Sequence, residues 1–313
     1  MGLNTITVST PTASGQGSFT VTAPVARFTG AVCSPPNACP SSVQAWLQMH
    51  STVFGGQNNA NKQFYSGTQK MSTWQTGHLP TDNESQLPPG ALKVITYKDA
   101  QIPSLAGYVR SIPADQEVWM VYFQEAENDY PNGDYATFIK TTIQCSDTIR
   151  AVGNPNVKVV QDSAGSKYGV KGSTAQQGLW VVPPEHIDIY AVDCYQNAAA
   201  GGWPTQGLAN FTEFQTWLSV YAKLGRPLAI TEYGLDACQG DAARNARLML
   251  DHAYLQTAFG GGPKAVSPFP LQAWIYWYSN CTAGQLATDC QHQHQFTDAA
   301  SVATWTSVCA GTL

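Results

Sequence analysis

Charge is scarce in this chain. Only 12% of its 313 residues are Asp, Glu, Lys or Arg, the net charge is -5, and no basic cluster interrupts the sequence. Nucleic acid and anionic membrane surfaces are held by such clusters, so both are excluded as partners. Long apolar runs are missing too. A run such as "LQAWIYWY" falls far short of the roughly 20 residues that span a bilayer, and no membrane insertion is expected. The opening "MGLNTITVSTPTASG" lacks the basic start and apolar centre of a signal peptide. The expectation is a trimmed chain or one that leaves the cell by another route. No C-x-x-C occurs, and the neighbouring His292 and His294 alternate with Gln in "CQHQHQ". A solvated loop explains that segment, and neither metal nor cofactor is expected. Ser163 and Ser166 in "QDSAGSKYG" do not form a G-x-S-x-G elbow, which excludes a serine hydrolase. "GQGSF" and "GGGPK" lack the strand–loop–helix setting of a phosphate loop.

What is present describes a loop-rich globular protein. Hydrophobic residues make up 43%, with 27 glycines and 19 prolines. That is enough apolar content for a large core and too much for a disordered chain. Eight cysteines, an even number, stand in a weakly charged chain, which suits an oxidising compartment. Cys33 and Cys39, and Cys281 and Cys290, are close enough in sequence to close small loops, and two disulfides are expected there. The expected location is extracellular or on a particle such as a virion, and the expected state is a monomer.

Residues 1–27 are rich in Ser, Thr, Gly and Ala and read as a leader or peripheral strand, with "GSFTVTAP" alternating like an edge strand. Beyond them, strand-like and helix-like runs take turns. The strand candidates are "ARFTGAVC", "QFYSG", "ALKVITYK", "EVWMVYFQE", "VKVVQDS", "IDIYAVDCY", "PLAITEYG" and "LQAWIYWYS". Helical spacing marks Phe138, Ile139, Thr142, Ile143 and Ile149, and again Phe214, Trp217, Leu218 and Tyr221 before a Gly225 cap. "SSVQAWLQMHS" and "DAARNARLMLDHAYLQTAFGGG" are two further helices. Eight strands alternating with helices predict a single α/β domain over residues 28–313, a (β/α)8 TIM barrel, with a doubly wound sheet as the alternative.

Such barrels place their chemistry where the strands end. Charged residues are almost never buried without a partner or a task, yet the apolar run "RPLAITEYG" closes on Glu232. "VWMVYFQE" ends in Gln124 and Glu125, followed by Glu127, Asn128 and Asp129. "IDIYAVDCY" ends in Asp193 and Tyr195, and "AWIYWYSN" in Trp277 and Tyr278. Because side chains alternate along a strand, Val121, Phe123 and Glu125 are expected on one face. So are Leu228, Ile230 and Glu232, which would bring both glutamates to one barrel mouth. Two carboxylates framed by aromatic rings suit glycosidic bond cleavage, one protonated and one ionised. Trp74, Trp180 and Trp203 fall in loop-like stretches and suit either a glycan cleft or packing.

"VWMVYFQEAENDY", "IDIYAVDCYQ", "RPLAITEYG" and "LQAWIYWYS", in that order, resemble the retaining glycosidases that carry catalytic glutamates on barrel strands 4 and 7. Within that clan the chain is most similar to glycoside hydrolase family 26, the β-mannanase-like group, and its actinobacterial relatives, over about residues 28–308. "FYSGTQK" followed by "ALKVITYKDA" shares the character of that group. The resemblance implies Glu125 as general acid/base, Glu232 as nucleophile, Tyr195 beside the nucleophile and Trp277 as a sugar platform. Gln124, Asn128, Asp193 and Tyr278 join them as candidate substrate-binding residues. The implied partner is a polysaccharide or oligosaccharide. One departure stands out: the family has His before the acid/base and the wider clan has Asn, where this chain has Gln124. A second reading keeps the fold without the chemistry, as a carbohydrate-binding or structural barrel in an assembly such as a phage tail.

Overall fold

The computed structural model describes residues 7–12, 15–20, 26–34, 59–65, 71, 73–74, 90–196, 207–235, 241–279, 299–311 and 313. Two short strands, β1 (Thr7–Thr12) and β2 (Gly15–Thr20), pair antiparallel as a separate hairpin. The eight remaining strands form one parallel sheet. They are β3 (Ala26–Ser34), β4 (Ala60–Phe64), β5 (Leu92–Tyr97), β6 (Val118–Tyr122), β7 (Val157–Ala164), β8 (Ile189–Gln196), β9 (Leu228–Leu235) and β10 (Leu271–Ser279). β3 pairs with β10, and the other six follow in sequence order. Asn59 draws the open side shut: its backbone N–H donates to the Thr29 carbonyl at 3.2 Å, and its Oδ1 accepts the Thr29 N–H at 2.9 Å. The result is a (β/α)8 TIM barrel; seven of the strand-like runs fall on its staves, and the eighth, "QFYSG", meets β4 only at Gln63 and Phe64.

The helices over Tyr135–Val152, Thr212–Tyr221 and Asp241–Phe259 follow from the spacing seen in the sequence, and the helix expected over "SSVQAWLQMHS" lies outside the described residues. α1 (Leu105–Ser111) follows β5 in the chain and buries Leu105, Tyr108 and Val109. α2 (Ala126–Asp129) is a single turn, and α3 (Tyr135–Val152) begins where Asp134 accepts the Thr137 N–H and ends at Gly153 with φ 77°. Its buried stripe includes Phe138, Thr142 and Ile149. α4 (Gly165–Tyr168) is another single turn. α5 (Thr212–Tyr221) buries Phe214, Trp217, Leu218 and Tyr221, and Gly225 closes it at φ 70°. α6 (Asp241–Phe259) and α7 (Ala299–Ala310) complete the ring. No helix among the described residues is long and apolar enough to cross a membrane.

The barrel axis is filled in layers. At the floor, Phe28 meets Trp119 edge to face, with ring centroids 6.2 Å apart. Small Ala60, Ala191, Ala229 and Ala273 make room for these rings. Trp119 Nε1 donates to Glu117 at 2.9 Å, and Arg27 forks onto the same carboxylate. The bottom is thereby plugged, and only the opposite mouth is free for chemistry. A second, larger core lies between the strands and the helices and takes in Trp74 and Trp180, both buried. Those two tryptophans serve packing; Trp203 lies outside the described residues. The side chains of Cys145, Cys194 and Cys309 are free thiols. Cys39, Cys281, Cys290 and the Cys33 side chain lie outside the described residues, and both expected disulfides with them.

Candidate active site

One step above the alanine floor, alternation turns the interior polar. Ala60 is followed on the same face by Lys62, Val160 by Asp162, Ala191 by Asp193 and Ala229 by Thr231. Lys62 is the hub. Its Nζ lies 2.9 Å from Asp162 Oδ2, 3.3 Å from Asp193 Oδ1 and 2.7 Å from Glu232 Oε1. All four side chains are at most 6% exposed. Burial alone would strip the Lys62 ammonium of its proton, but the surrounding carboxyl groups, Asp162 foremost, hold its pKa above the ordinary lysine range.

Glu232 reaches this cluster through a bulge, and the expected alternation with Leu228 and Ile230 is corrected. Those two residues face the helices, whereas Ala229 faces the axis. Ile230 pairs with Val192 and Glu232 with Asp193, so Thr231 is an extra residue on β9. A bulge re-aims the residues after it. Here two successive side chains, Thr231 and Glu232, enter the mouth. Glu232 Oε1 accepts Lys62 and Gln124 Nε2, both at 2.7 Å, and Oε2 accepts the Tyr195 hydroxyl in a short bond. Three donors among the described residues converge on this carboxylate.

Glu125 also departs from simple alternation. β6 stops at Tyr122, and Phe123 and Glu125 both adopt left-handed backbone, with φ 50° and 53°. Each such non-glycine residue costs about 1–2 kcal/mol. Neighbouring strands hold the two bends in place: Phe123 N donates to the Tyr97 carbonyl at 2.8 Å, and Glu125 N to the Asp162 carbonyl at 3.1 Å. Phe123 therefore packs into the outer core rather than sharing an inward face with Val121. Gln124 swings to the axis, and Glu125 sits at the rim. Glu127 turns away from the mouth and staples the loop to the end of β7. Its carboxylate accepts Tyr168 Oη at 3.0 Å and Ala164 N at 3.3 Å.

The remaining candidates are placed as follows. Gln124 Nε2 donates to Glu232 and, in a short bond, to Asp193. Asn128 is exposed and donates to Glu125 Oε2 at 3.2 Å. Asp193 lies beneath the mouth, 1% exposed. Trp277 and Tyr278 are on β10, opposite Val32 and Cys33, and their side chains are outside the described ones. Lys62, Asp162 and Thr231 were not singled out by the sequence. The inward parity Ala60–Lys62, Val160–Asp162 and Ala229–Thr231 is the signal that would have found them.

The two glutamates sit in unlike surroundings. Burial first, and the Glu232 charge second, raise the Glu125 carboxyl from its ordinary 4.5 to about 7, against the opposing pull of Asn128 and Lys62. Beside Glu125 a cavity of about 210 Å³ is lined by Phe64, Tyr65, Thr96, Tyr97, Lys98 and Asp129. It is smaller than the roughly 300–1,000 Å³ of a drug-sized site, and suits one small polar unit at a time. The arrangement favours a proton on Glu125 and gathers hydrogen-bond donors around Glu232.

No family model matches the chain, and no curated protein matches it. Solved structures do. The catalytic domain of a family 26 endo-β-1,4-mannanase from a Bacillus species aligns over 90% of this chain and 85% of its own, with 13% identity and a TM-score of 0.58. A family 26 β-mannanase from Bacteroides ovatus aligns over 92% and 89%, with 10% identity and a TM-score of 0.53. A β-1,3-glucanase and pollen allergen of Cryptomeria japonica aligns over 85% and 94%, with 13% identity and a TM-score of 0.52. At these identities the likeness is one of fold, and it matches the clan whose motifs the sequence resembles.

Proposed function

We propose that this barrel is a retaining glycoside hydrolase acting on a poly- or oligosaccharide, with Glu232 as nucleophile and Glu125 as general acid and base. One observation carries the reading: two glutamates share the mouth, one raised to about 7 and the other receiving Lys62, Gln124 and Tyr195 as donors. Unlike environments for paired carboxyls assign acid and nucleophile roles. The solved neighbours are β-mannanases and a β-glucanase, which supports a β-linked glycan.

In the first step a Glu232 oxygen attacks the anomeric carbon while the bond to the leaving sugar oxygen breaks. Glu125 gives that oxygen its proton. The products are a glycosyl ester on Glu232 and a carboxylate at Glu125. Esterification removes the Glu232 charge, so the Glu125 pKa falls and it becomes a base. In the second step Glu125 takes a proton from water, the water oxygen attacks the anomeric carbon, and Glu232 leaves. Two inversions retain the configuration. The reading requires carboxyl groups about 5–5.5 Å apart when substrate is bound. Gln124 spends its amide protons on Asp193 and Glu232, and its buried Oε1 has no partner among the described residues. It therefore offers a sugar hydroxyl an acceptor. The expected extracellular or particle-borne setting is consistent with a glycan substrate.

The test is hydrolysis of a panel of β-mannans, β-glucans and aryl β-glycosides. Glu232→Ala should abolish all turnover. Glu125→Ala should keep its first step on aryl glycosides with good leaving groups, stall at the ester, and be rescued by azide to a product of retained configuration. Glycan binding by the parent without hydrolysis of any panel member would instead favour the non-catalytic barrel. Azide rescue in Glu127→Ala in place of Glu125→Ala would overturn the assignment of the acid.

A further inference from the structure

The polar layer beneath the glutamates holds more carboxylates than its cation can neutralise. Lys62 faces Asp162, Asp193 and Glu232, one positive charge against three negative, with all four side chains at most 6% exposed. Thr231 carries the decisive geometry. Its hydroxyl oxygen lies 2.8 Å from Asp162 Oδ1 and 3.1 Å from Asp193 Oδ1. A hydroxyl has one proton and cannot donate fully to two carboxylates. It can, however, donate to one and accept from the other if the other is an acid. Among the described residues no further donor resolves the conflict. The three Lys62 protons are matched by the three carboxylates, the two Gln124 amide protons by Asp193 and Glu232, and the Tyr195 proton by Glu232.

We propose that Asp193 is a carboxylic acid at neutral pH, donating its proton to Thr231, which donates its own to Asp162. The distances choose Asp193 over Asp162. Asp162 receives the closer ammonium contact, 2.9 Å against 3.3 and 3.5 Å, and the closer hydroxyl. Asp193 also stands among the other titratable groups: Lys62 from β4, Asp162 from β7, Glu232 from β9, Glu125 from the loop after β6, and Tyr195 on its own strand. In agreement, burial, followed by the charges of Asp162 and Glu232, pushes the Asp193 carboxyl well above the ordinary aspartate range. The pair then carries one negative charge instead of two, as coupled buried carboxyls do. Asp193 is a positioning residue. Its neutral carboxyl fixes Gln124 and Thr231 and leaves the Lys62 charge to Asp162 and Glu232. That consequence for Glu232 rests on the glycosidase reading, whereas the proton on Asp193 does not.

The experiment needs no substrate. The protein, labelled with ¹³C at its aspartate carboxyls, is followed by NMR at pH 7, with Asp193 assigned through bonds from its own amide in the unmutated chain. The expected result is a protonated-acid resonance for Asp193 and a carboxylate resonance for Asp162. Thermal unfolding of Asp193→Asn supplies an independent sign. An acid held in the folded protein but ionised in the unfolded chain above about 3.8 costs the parent stability as pH rises. The Tm of the variant should therefore climb relative to the parent from pH 4 to pH 7. A carboxylate resonance for Asp193, or a variant that loses ground with rising pH, overturns the proposal. If Asp193→Asn does not fold, the NMR result on the parent decides alone. An acid resonance on Asp193 with no hydrolysis of any glycan would leave the proton in place and remove only the glycosidase reading.

Discussion

Lys62 sets the charge of the mouth, and its burial makes it expensive to lose. Breaking a buried ion pair from one side strands the other charge and costs about 3–5 kcal/mol. Lys62→Met should therefore lower stability at pH 7 by that amount in urea unfolding, with a smaller loss at pH 4, where protons can replace the ammonium. An unchanged midpoint at pH 7 would mean that the ammonium does not hold the cluster. Glu125 gives a second sign. Its folded value of about 7 lies above its ordinary 4.5, so the folded protein keeps a proton that the unfolded chain has lost. The associated stability is complete below about pH 4.5 and is lost as pH rises to about 7. Glu125→Gln should be neutral at pH 4 and raise Tm progressively toward pH 7.5, and the rate of the parent should fall as pH passes 7. Glu125 and Glu232 were legible in the sequence because each ends an apolar run. Lys62 was not, because "FGGQNNANKQ" has the composition of a loop, and only the packed barrel turns that lysine inward.

At the scale of elements, the mouth is shaped by breaks in regular structure. Alternation alone would put Glu232 on the face of Ile230, which packs against the helices; the bulge at Thr231 brings it inside. The left-handed backbone at Phe123 and Glu125 does the same for the acid loop. Neither device has a glycine or proline to announce it, so the sequence located the right residues by an alternation that the strands do not keep. The turn after β7 shows how tightly the elements meet. A Cβ on Gly165 would lie 2.6 Å from the Asp193 carbonyl oxygen, and a backbone atom cannot rotate away. Gly165→Ala should cost about 1–3 kcal/mol by overpacking and shift Asp193 beneath Glu232. Circular dichroism melts and the kcat of the variant on a cleaved panel substrate would show both losses. A variant with parental Tm and kcat would indicate that α4 moves freely against β8.

The molecule as a whole was the most legible level. Eight strand-like runs separated by helical spacing translate into a nearly closed parallel barrel, and the apolar floor around Trp119 directs chemistry to the other end. The short α1 and the closing helix α7 were missed. α1 is only Leu105–Ser111, and α7 is apolar nearly all round, so neither shows a clear face. The proposed function has a covalent glycosyl intermediate on Glu232 at its centre. The direct measurement is mass spectrometry after incubation with activated 2-deoxy-2-fluoro β-glycosides, whose slowed second step traps such an ester. The account predicts one added glycosyl mass on the peptide containing "AITEYG", at Glu232, in both the parent and Glu125→Ala. A label on Glu125 or Glu127, or hydrolysis that inverts the configuration with no label at any residue, would contradict it.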